Sequence, residues 1–343
     1  MRHLCIATMM ASESFVKLAR RFGRAFWWDD QPLAKNQLNQ KECHVFKNII
    51  MYRIAPDWQT TAEQVEECLQ AGRFVECGAS QEKSVGWIEP RGQANGLLLE
   101  SVAGQWILKL MVETRALPAS VVNRKTQERV AQIEAGTGRK PGKKEIRDMK
   151  DDMRLELLPM AFTKQSSKLI WFDREARLLL IDASSQAGAD EVVTLLVQTL
   201  PGLALTLVNT RVAPATAMAE WLVSGEAPAG FSVDRECELK AADESKAVVR
   251  YARHRLDMEE VKQHIAEGEM PTRLALTWNE RVSFMLTEGL QLKKLAFLEG
   301  VFEAGSSNNK DDNFDTDVAI TTGELSQLLP DVLQALGGEM PVA

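Results

Sequence analysis

The chain has 343 residues, 45% hydrophobic and 26% charged, with a formal net charge of -7. This length allows two or three domains with real cores. The composition is that of an ordinary soluble globular protein. No apolar run approaches the roughly 18 residues of a membrane-spanning helix, and the acidic balance argues against a uniformly basic nucleic-acid binder while leaving local cationic clusters open.

Cys5, Cys43, Cys68, Cys77 and Cys237 are scattered, with no CxxC pair. They read as free thiols in a reducing cytoplasm, not a disulfide framework or zinc site.

Residues 1–43 differ from the rest. Phe15, Leu18, Phe22 and Phe26 fall at helical spacing with Lys17, Arg20, Arg21 and Arg24 between them. That pattern makes a basic amphipathic helix. It suits a membrane-surface or partner helix; the preferred reading is a poorly ordered extension or an upstream start codon. As a secretory signal it is poor, because no adequate apolar core precedes a cleavage site.

The folded part is expected to begin near Val45, with Phe46–Ile54 as a mostly buried strand. Thr61 with Gln64 makes a capping box for a helix whose inner face is Val65, Cys68 and Leu69, ended by Gly72. From Trp106 to Val112 alternation predicts a half-buried strand, with Lys109 and Glu113 on the outer face.

Residues 118–157 read as two helical pieces broken by Gly136, Gly138, Pro141 and Gly142, an αα-hairpin projecting from a sheet domain. Lys168–Phe172 and Arg177–Asp182 flank a four-residue turn and predict a hairpin. A helix follows over Asp190–Leu200, with Val193, Leu196 and Val197 inward.

Further on, Val248–Arg255, Thr272–Trp278, Val282–Thr287 and Leu290–Phe297 have strand character, and Met258–Glu267 reads as a short helix. Ser306–Asp317 reads as a surface loop. A last helix is expected after Thr321, with Glu324 completing a capping box, Pro330 kinking it and Gly337-Gly338 ending it. Strands and helices are segregated, so the fold class expected is α+β.

No enzyme constellation survives inspection. Around Gly142-Lys143 a phosphate loop fails, because Thr137 stands where its first glycine belongs and Lys144 where Ser or Thr would hold magnesium. Asp311, Asn313, Asp315 and Asp317 have calcium-loop spacing, but Thr316 replaces the turn glycine and Thr322 the bidentate glutamate. His254 and His264 have no partner at ligand spacing. No cofactor or metal is expected.

Cationic clusters carry more signal. Arg139, Lys140, Lys143, Lys144 and Arg147 surround the single acid Glu145. Lys246, Arg250, Arg253 and Arg255 accompany His254 with no acid between them, and Arg273, Lys293 and Lys294 lie on predicted neighbouring strands. Such clusters suit salt-sensitive contact with phosphates or, equally, a merely solvated face. Phe162, just past a proline-interrupted helix end, is read first as a core residue. The alternative is a protruding anchor that fills a partner's pocket.

A family resemblance rests on an ordered set of segments. They are Phe46-Lys47-Asn48 with Tyr52-Arg53, then Gly86-Trp87, then Leu157-Leu158-Pro159-Met160-Ala161-Phe162 and Trp171-Phe172-Asp173. Glu220-Trp221 with Gly225, Leu274-Ala275-Leu276-Thr277-Trp278, Thr322-Gly323-Glu324-Leu325 and Leu336-Gly337-Gly338-Glu339 complete it. From Val45 to Glu339 the chain resembles the recombination-associated protein RdgC family; residues 1–43 have no counterpart in it.

The resemblance implies a horseshoe-shaped α+β subunit with antiparallel sheets, closing into a ring-shaped homodimer around double-stranded DNA. It implies a cytoplasmic, nucleoid-associated, non-catalytic protein that binds duplex without sequence preference. Such a protein antagonises the RecA recombinase and affects replication restart; no membrane is involved.

It carries DNA contact onto Arg139, Lys140, Lys143 and Lys144, with Pro141-Gly142 a local departure, and onto Arg250, Arg253, Arg255 and Arg273. It makes Phe162 the gate of the dimer. The division expected is an extension at 1–43, a central domain over 44–117 and 158–205, a helical tip over 118–157 and a base domain over 206–343. Two other readings stand beside it: a metal-dependent DNA-processing enzyme using the Asp311–Asp317 loop, and a protein-interaction scaffold with no DNA role.

Overall fold

The computed structural model describes residues 45–241, 243, 246–256, 258–298, 300–302 and 310–341. The basic amphipathic pattern at 15–26 lies outside them.

In chain order the elements are β1 Ile50–Ile54, α1 Ala62–Gln70, β2 Lys83–Ile88, β3 Leu99–Val102 and β4 Gln105–Ala116. Helices α2 Ala119–Thr137 and α3 Lys143–Leu157 follow, then a 3-10 turn Leu158–Met160. β5 Phe162–Asp173, β6 Leu178–Ile181, α4 Gln186–Thr199, β7 Leu205–Leu207 and α5 Pro214–Ser224 come next. The chain ends with β8 Phe231–Ala241, β9 Val248–Ala252, α6 Glu259–Ala266, β10 Glu269–Trp278, β11 Val282–Thr287, β12 Leu292–Phe297 and α7 Lys310–Ala335.

The class is α+β. One antiparallel sheet has seven strands in the order β2-β4-β5-β6-β1-β7, with β3 also on β4; the other has five, β12-β11-β10-β8-β9.

The first sheet is buried on both faces over β1, β6 and the end of β5, while the first half of β5 is exposed. Leu108, Leu110, Ile170, Phe172, Leu179 and Ile181 pack beneath α1 and α4 in one core. The alternate residues, Met51, Ile107, Trp171, Leu178 and Leu180, join a second core built with Leu274, Leu276, Phe284 and α7. This corrects the half-buried reading of the Trp106–Val112 strand: Ile107 is fully buried, and Glu113 is 2% exposed. The Glu113 carboxylate accepts from Gln165 Nε2 at 2.8 Å and from the Cys77 amide at 3.4 Å, which makes its burial tolerable.

Thr61 caps α1 with Gln64 in a reciprocal box. The hairpin at Asp173–Arg177 joins paired strands. The first strand is shorter than expected, and Ile49 before it instead bridges to Leu292 of the second sheet. In α4 Ala189, Val192 and Leu196 are buried and Val193 packs partly buried against the same core, whereas Val197, expected inward, is 45% exposed.

The largest correction is at the end. α7 begins at Lys310, so Thr321 lies mid-helix and caps nothing, and the described part of the expected loop is helical. Glu324 makes no capping box; it takes Arg281 Nε at 2.8 Å.

The family-like segments turn out to fasten the fold. Arg53 donates to Glu339 at 3.0 Å across almost the whole chain. The Asn48 amide binds Asp182 at 2.9 Å, and the Trp278 indole binds Asp331 at 2.8 Å.

Gly86 lies against the Gly72–Phe74 segment, where Trp87 exchanges main-chain bonds with Gly72 and Phe74 at 2.9 Å each. A Cβ on Gly86 would sit 2.4 Å from Phe74 Cα. Gly86→Ala is therefore expected to destabilise the fold by on the order of 3 kcal/mol through overpacking. A urea melt checks this: the midpoint falls at constant slope, whereas an unchanged midpoint would show that the 72–74 segment yields freely.

Candidate nucleic-acid interface

β4 and β5 pair without a break from Trp106↔Phe172 to Ala116↔Phe162. The helical pair α2–α3 is inserted at the end of this ladder, between Ala116 and Phe162. Its turn is made by Gly138 in the left-handed region (φ 69°) followed by Arg139-Lys140-Pro141-Gly142. Glu145 closes the turn: it accepts from the Gly142 amide at 3.0 Å and pairs with Arg139 at 2.7 Å. The Gly142 bond first, then Arg139, hold the Glu145 carboxyl below the ordinary glutamate range against slight desolvation.

Lys140, Lys143 and Lys144 are exposed and have no ion-pair partner among the described residues. The turn thus presents three free ammonium groups and one arginine already engaged.

The return from the insertion is set by Arg115. Its guanidinium donates to the Leu158 and Ala161 carbonyls at 3.4 Å each, and on its other side to Cys77 O at 3.1 Å and Gly78 O at 3.2 Å. These bonds fix the chain just before Phe162. The Phe162 side chain is 87% exposed, with Met160 at 72% and Leu155 at 62% nearby in sequence. The core reading of Phe162 is overturned: its register opposite Ala116, at the far end of the ladder, leaves no layer to cover it.

The second cationic group lies on the five-stranded sheet. Buried register partners such as Cys237 and Leu274 define its inner face. The alternate row, Arg250↔Glu238↔Arg273, faces out. Here the sequence reading missed an element: β8 supplies Glu236 and Glu238, acids absent from the 246–255 segment itself. Glu238 takes Arg250 at 2.6 Å and Arg273 at 3.6 Å, and accepts from Thr272 at 2.9 Å. Desolvation opposes the Glu238 charge, but Arg250, Thr272 and Arg273 together hold its pKa below the usual range.

Lys294, brought to this face by a register shift in β11–β12, pairs with Glu236 at 2.7 Å. Lys293 is pushed below the usual lysine range by burial and then by Arg273. Arg253 and Arg255 follow β9 and line one recess with Arg235 and His254. The structure therefore gathers Arg250, Arg273, Lys293 and Lys294 on one face, where Glu236 and Glu238 of β8 offset two of the four charges, with Arg253 and Arg255 past the end of β9.

The acidic alternative has no site among the described residues. Asp315 sits in α7 and pairs with Arg91 at 2.5 Å, which also takes Glu100 at 2.9 Å. No group of three or more His, Cys, Asp or Glu there is placed to hold a metal. No described helix is long and apolar enough to cross a membrane.

These features define a class: a two-sheet α+β protein with a basic helical insertion, an exposed phenylalanine at its root and a separate arginine-bearing sheet face. Comparison with known proteins supplies the family. The profile of the family described as "Putative exonuclease, RdgC" matches residues 45–339. The recombination-associated protein RdgC of Dechloromonas aromatica (strain RCB) is 45% identical over 300 residues, covering 86% of this chain and 98% of that protein. The proteins of that name from Herminiimonas arsenicoxydans and Bordetella pertussis (strain Tohama I) are each 42% identical, over 86% and 87% of this chain and 98% and 99% of theirs. The chain belongs to the RdgC family.

Proposed function

We propose that this chain is a non-catalytic, recombination-associated DNA-binding protein that holds duplex DNA by its phosphates and closes as a homodimeric ring around it. The carrying observation is the α2–α3 turn, where three unpaired ammonium groups project from an acidic protein. Phosphates recruited there release counterions whatever the base sequence, and among the described residues no exposed aromatic series offers base stacking.

Phe162, exposed at the root of the same insertion, is the proposed gate of the dimer. The subunit is then horseshoe-shaped, with the 118–157 tip and the 206–343 base facing the duplex. Occupancy of DNA in the nucleoid would restrain RecA.

Arg250 and Arg273 join the DNA surface by exchanging Glu238 for phosphate. Glu238→Gln removes their competitor, so duplex affinity at moderate salt is expected to rise by about threefold to tenfold, and the salt slope to steepen by about 0.9 for each additional phosphate neutralised. A fluorescence titration reads both; an unchanged slope would remove the sheet face from the interface. The family's descriptive name suggests a second reading, an exonuclease. Incubating end-labelled duplex with magnesium separates the two: progressive shortening supports the enzyme, and intact duplex that stays bound supports the binder.

A further inference from the structure

β8 is longer than the strand beside it. β9 pairs with it only over Glu236–Lys240, whereas β10 pairs with it back to Phe231. Among the described residues, Phe231–Asp234 therefore has one backbone edge without a strand partner. Contact with the chain after β9 resumes at Arg235, whose carbonyl accepts from the His254 amide at 3.2 Å. An unpaired edge offers N–H and C=O groups that another extended segment can take up.

Beside this edge opens a cleft of about 510 Å³, floored by Trp221, Leu222, Phe231, Val233 and Leu256. Arg235 and Arg255 line it and also line a recess of about 570 Å³ with Arg253 and His254. Among the described residues lining the cleft Asp234 is the one acid, and it accepts from the Thr277 hydroxyl at 2.8 Å. An open strand edge, an apolar hollow and an arginine rim thus adjoin one another.

We propose that this cleft docks an extended acidic segment of a partner protein. Its backbone adds to β8 beside Val233, whose N–H and C=O face the open edge; the Phe231 N–H is already held by the Pro228 carbonyl at 3.0 Å. An apolar or aromatic side chain enters the hollow between Trp221 and Phe231, and flanking carboxylates meet Arg235 and Arg253. Charge complementarity selects an acidic segment. The open edge selects a peptide over DNA, which has no amide ladder to pair with it. DNA would engage the arginines and leave the edge and the apolar floor unused. The proposal stands independently of the DNA-binding reading.

The test uses the full chain and a fluorescein-labelled peptide of three aspartates followed by valine, isoleucine and a C-terminal phenylalanine. Saturable binding is expected. It should weaken by about tenfold or more when the aspartates are changed to asparagine, and again when the phenylalanine is changed to alanine. Arg235→Glu should weaken it similarly. Ala227→Trp, which fills the cleft from its loop, should abolish it while leaving duplex binding unchanged. The Val233 amide, which faces the open edge, should become more protected from hydrogen exchange with peptide bound.

Absence of peptide binding, or binding indifferent to both substitutions, overturns the proposal. So does loss of duplex binding in Ala227→Trp with peptide binding intact, which would make the cleft a nucleic-acid pocket. Should Ala227→Trp fail to fold, Arg235→Glu decides by the same criteria.

Discussion

Phe162→Ala is expected to weaken self-association by about 2 kcal/mol or more, roughly thirtyfold, while leaving the thermal midpoint of the subunit in place. The two halves of this expectation come from different observations. A ring that is 87% exposed in the subunit contributes little to folding, so its truncation costs the fold little. The backbone at this position is held independently of the ring, by the β4–β5 ladder and by Arg115 on the Leu158 and Ala161 carbonyls. Truncation therefore removes an anchor without moving its mount.

Sedimentation equilibrium reads the association and a thermal melt reads the fold. Unchanged association would remove Phe162 from the subunit contact. A midpoint several degrees lower would return it to the core.

Changing Arg139, Lys140, Lys143 and Lys144 together to glutamate is expected to lower duplex affinity by about a hundredfold or more, equally for unrelated sequences. Three of these side chains carry free charge, so the loss falls mainly on Lys140, Lys143 and Lys144. Arg139 already holds Glu145, and an exposed pair of that kind is worth little to stability. Lys143 and Lys144 begin α3, where glutamate suits the positive end of the helix dipole. The variant should accordingly fold as well as the parent. Native melting with a flattened salt slope is the expected pair of results; a changed preference among sequences would contradict backbone contact.

The helical insertion was legible because its signals are local: glycine and proline at the turn, and apolar residues at helical spacing. The α1 cap was legible for the same reason. What was lost depended on partners distant in sequence. β8 alternates Phe231, Val233, Cys237 and Leu239 inward, the signal that could have revealed it, but Arg235 interrupts the alternation where the pairing with β10 slips register. Missing β8 hid Glu236 and Glu238, so Arg250 looked free when Glu238 of the neighbouring strand pairs with it.

Phe162 shows the opposite error. Its local surroundings suggest burial, and only the register opposite Ala116 shows that the ladder carries it beyond the core. The start of α7 was missed because Asn and Asp are abundant there, a loop composition that Arg91 on Asp315 helps hold in a helix. The family-like tryptophans and glycines were legible as a set, yet Gly86, Trp171 and Trp278 serve packing and pairing more than contact with a partner.

Sequence-independent binding of duplex through phosphate contacts is open to direct measurement. The direct measurement is a fluorescence-anisotropy titration of the wild-type chain with two duplexes of equal length and unrelated sequence, repeated across a range of salt concentrations. Superimposable isotherms are expected for the two duplexes, with an affinity that falls linearly on a log–log plot against salt, by about 0.9 per phosphate neutralised. An affinity that differs by about a hundredfold between the duplexes, or no retention of either at low salt, would contradict it.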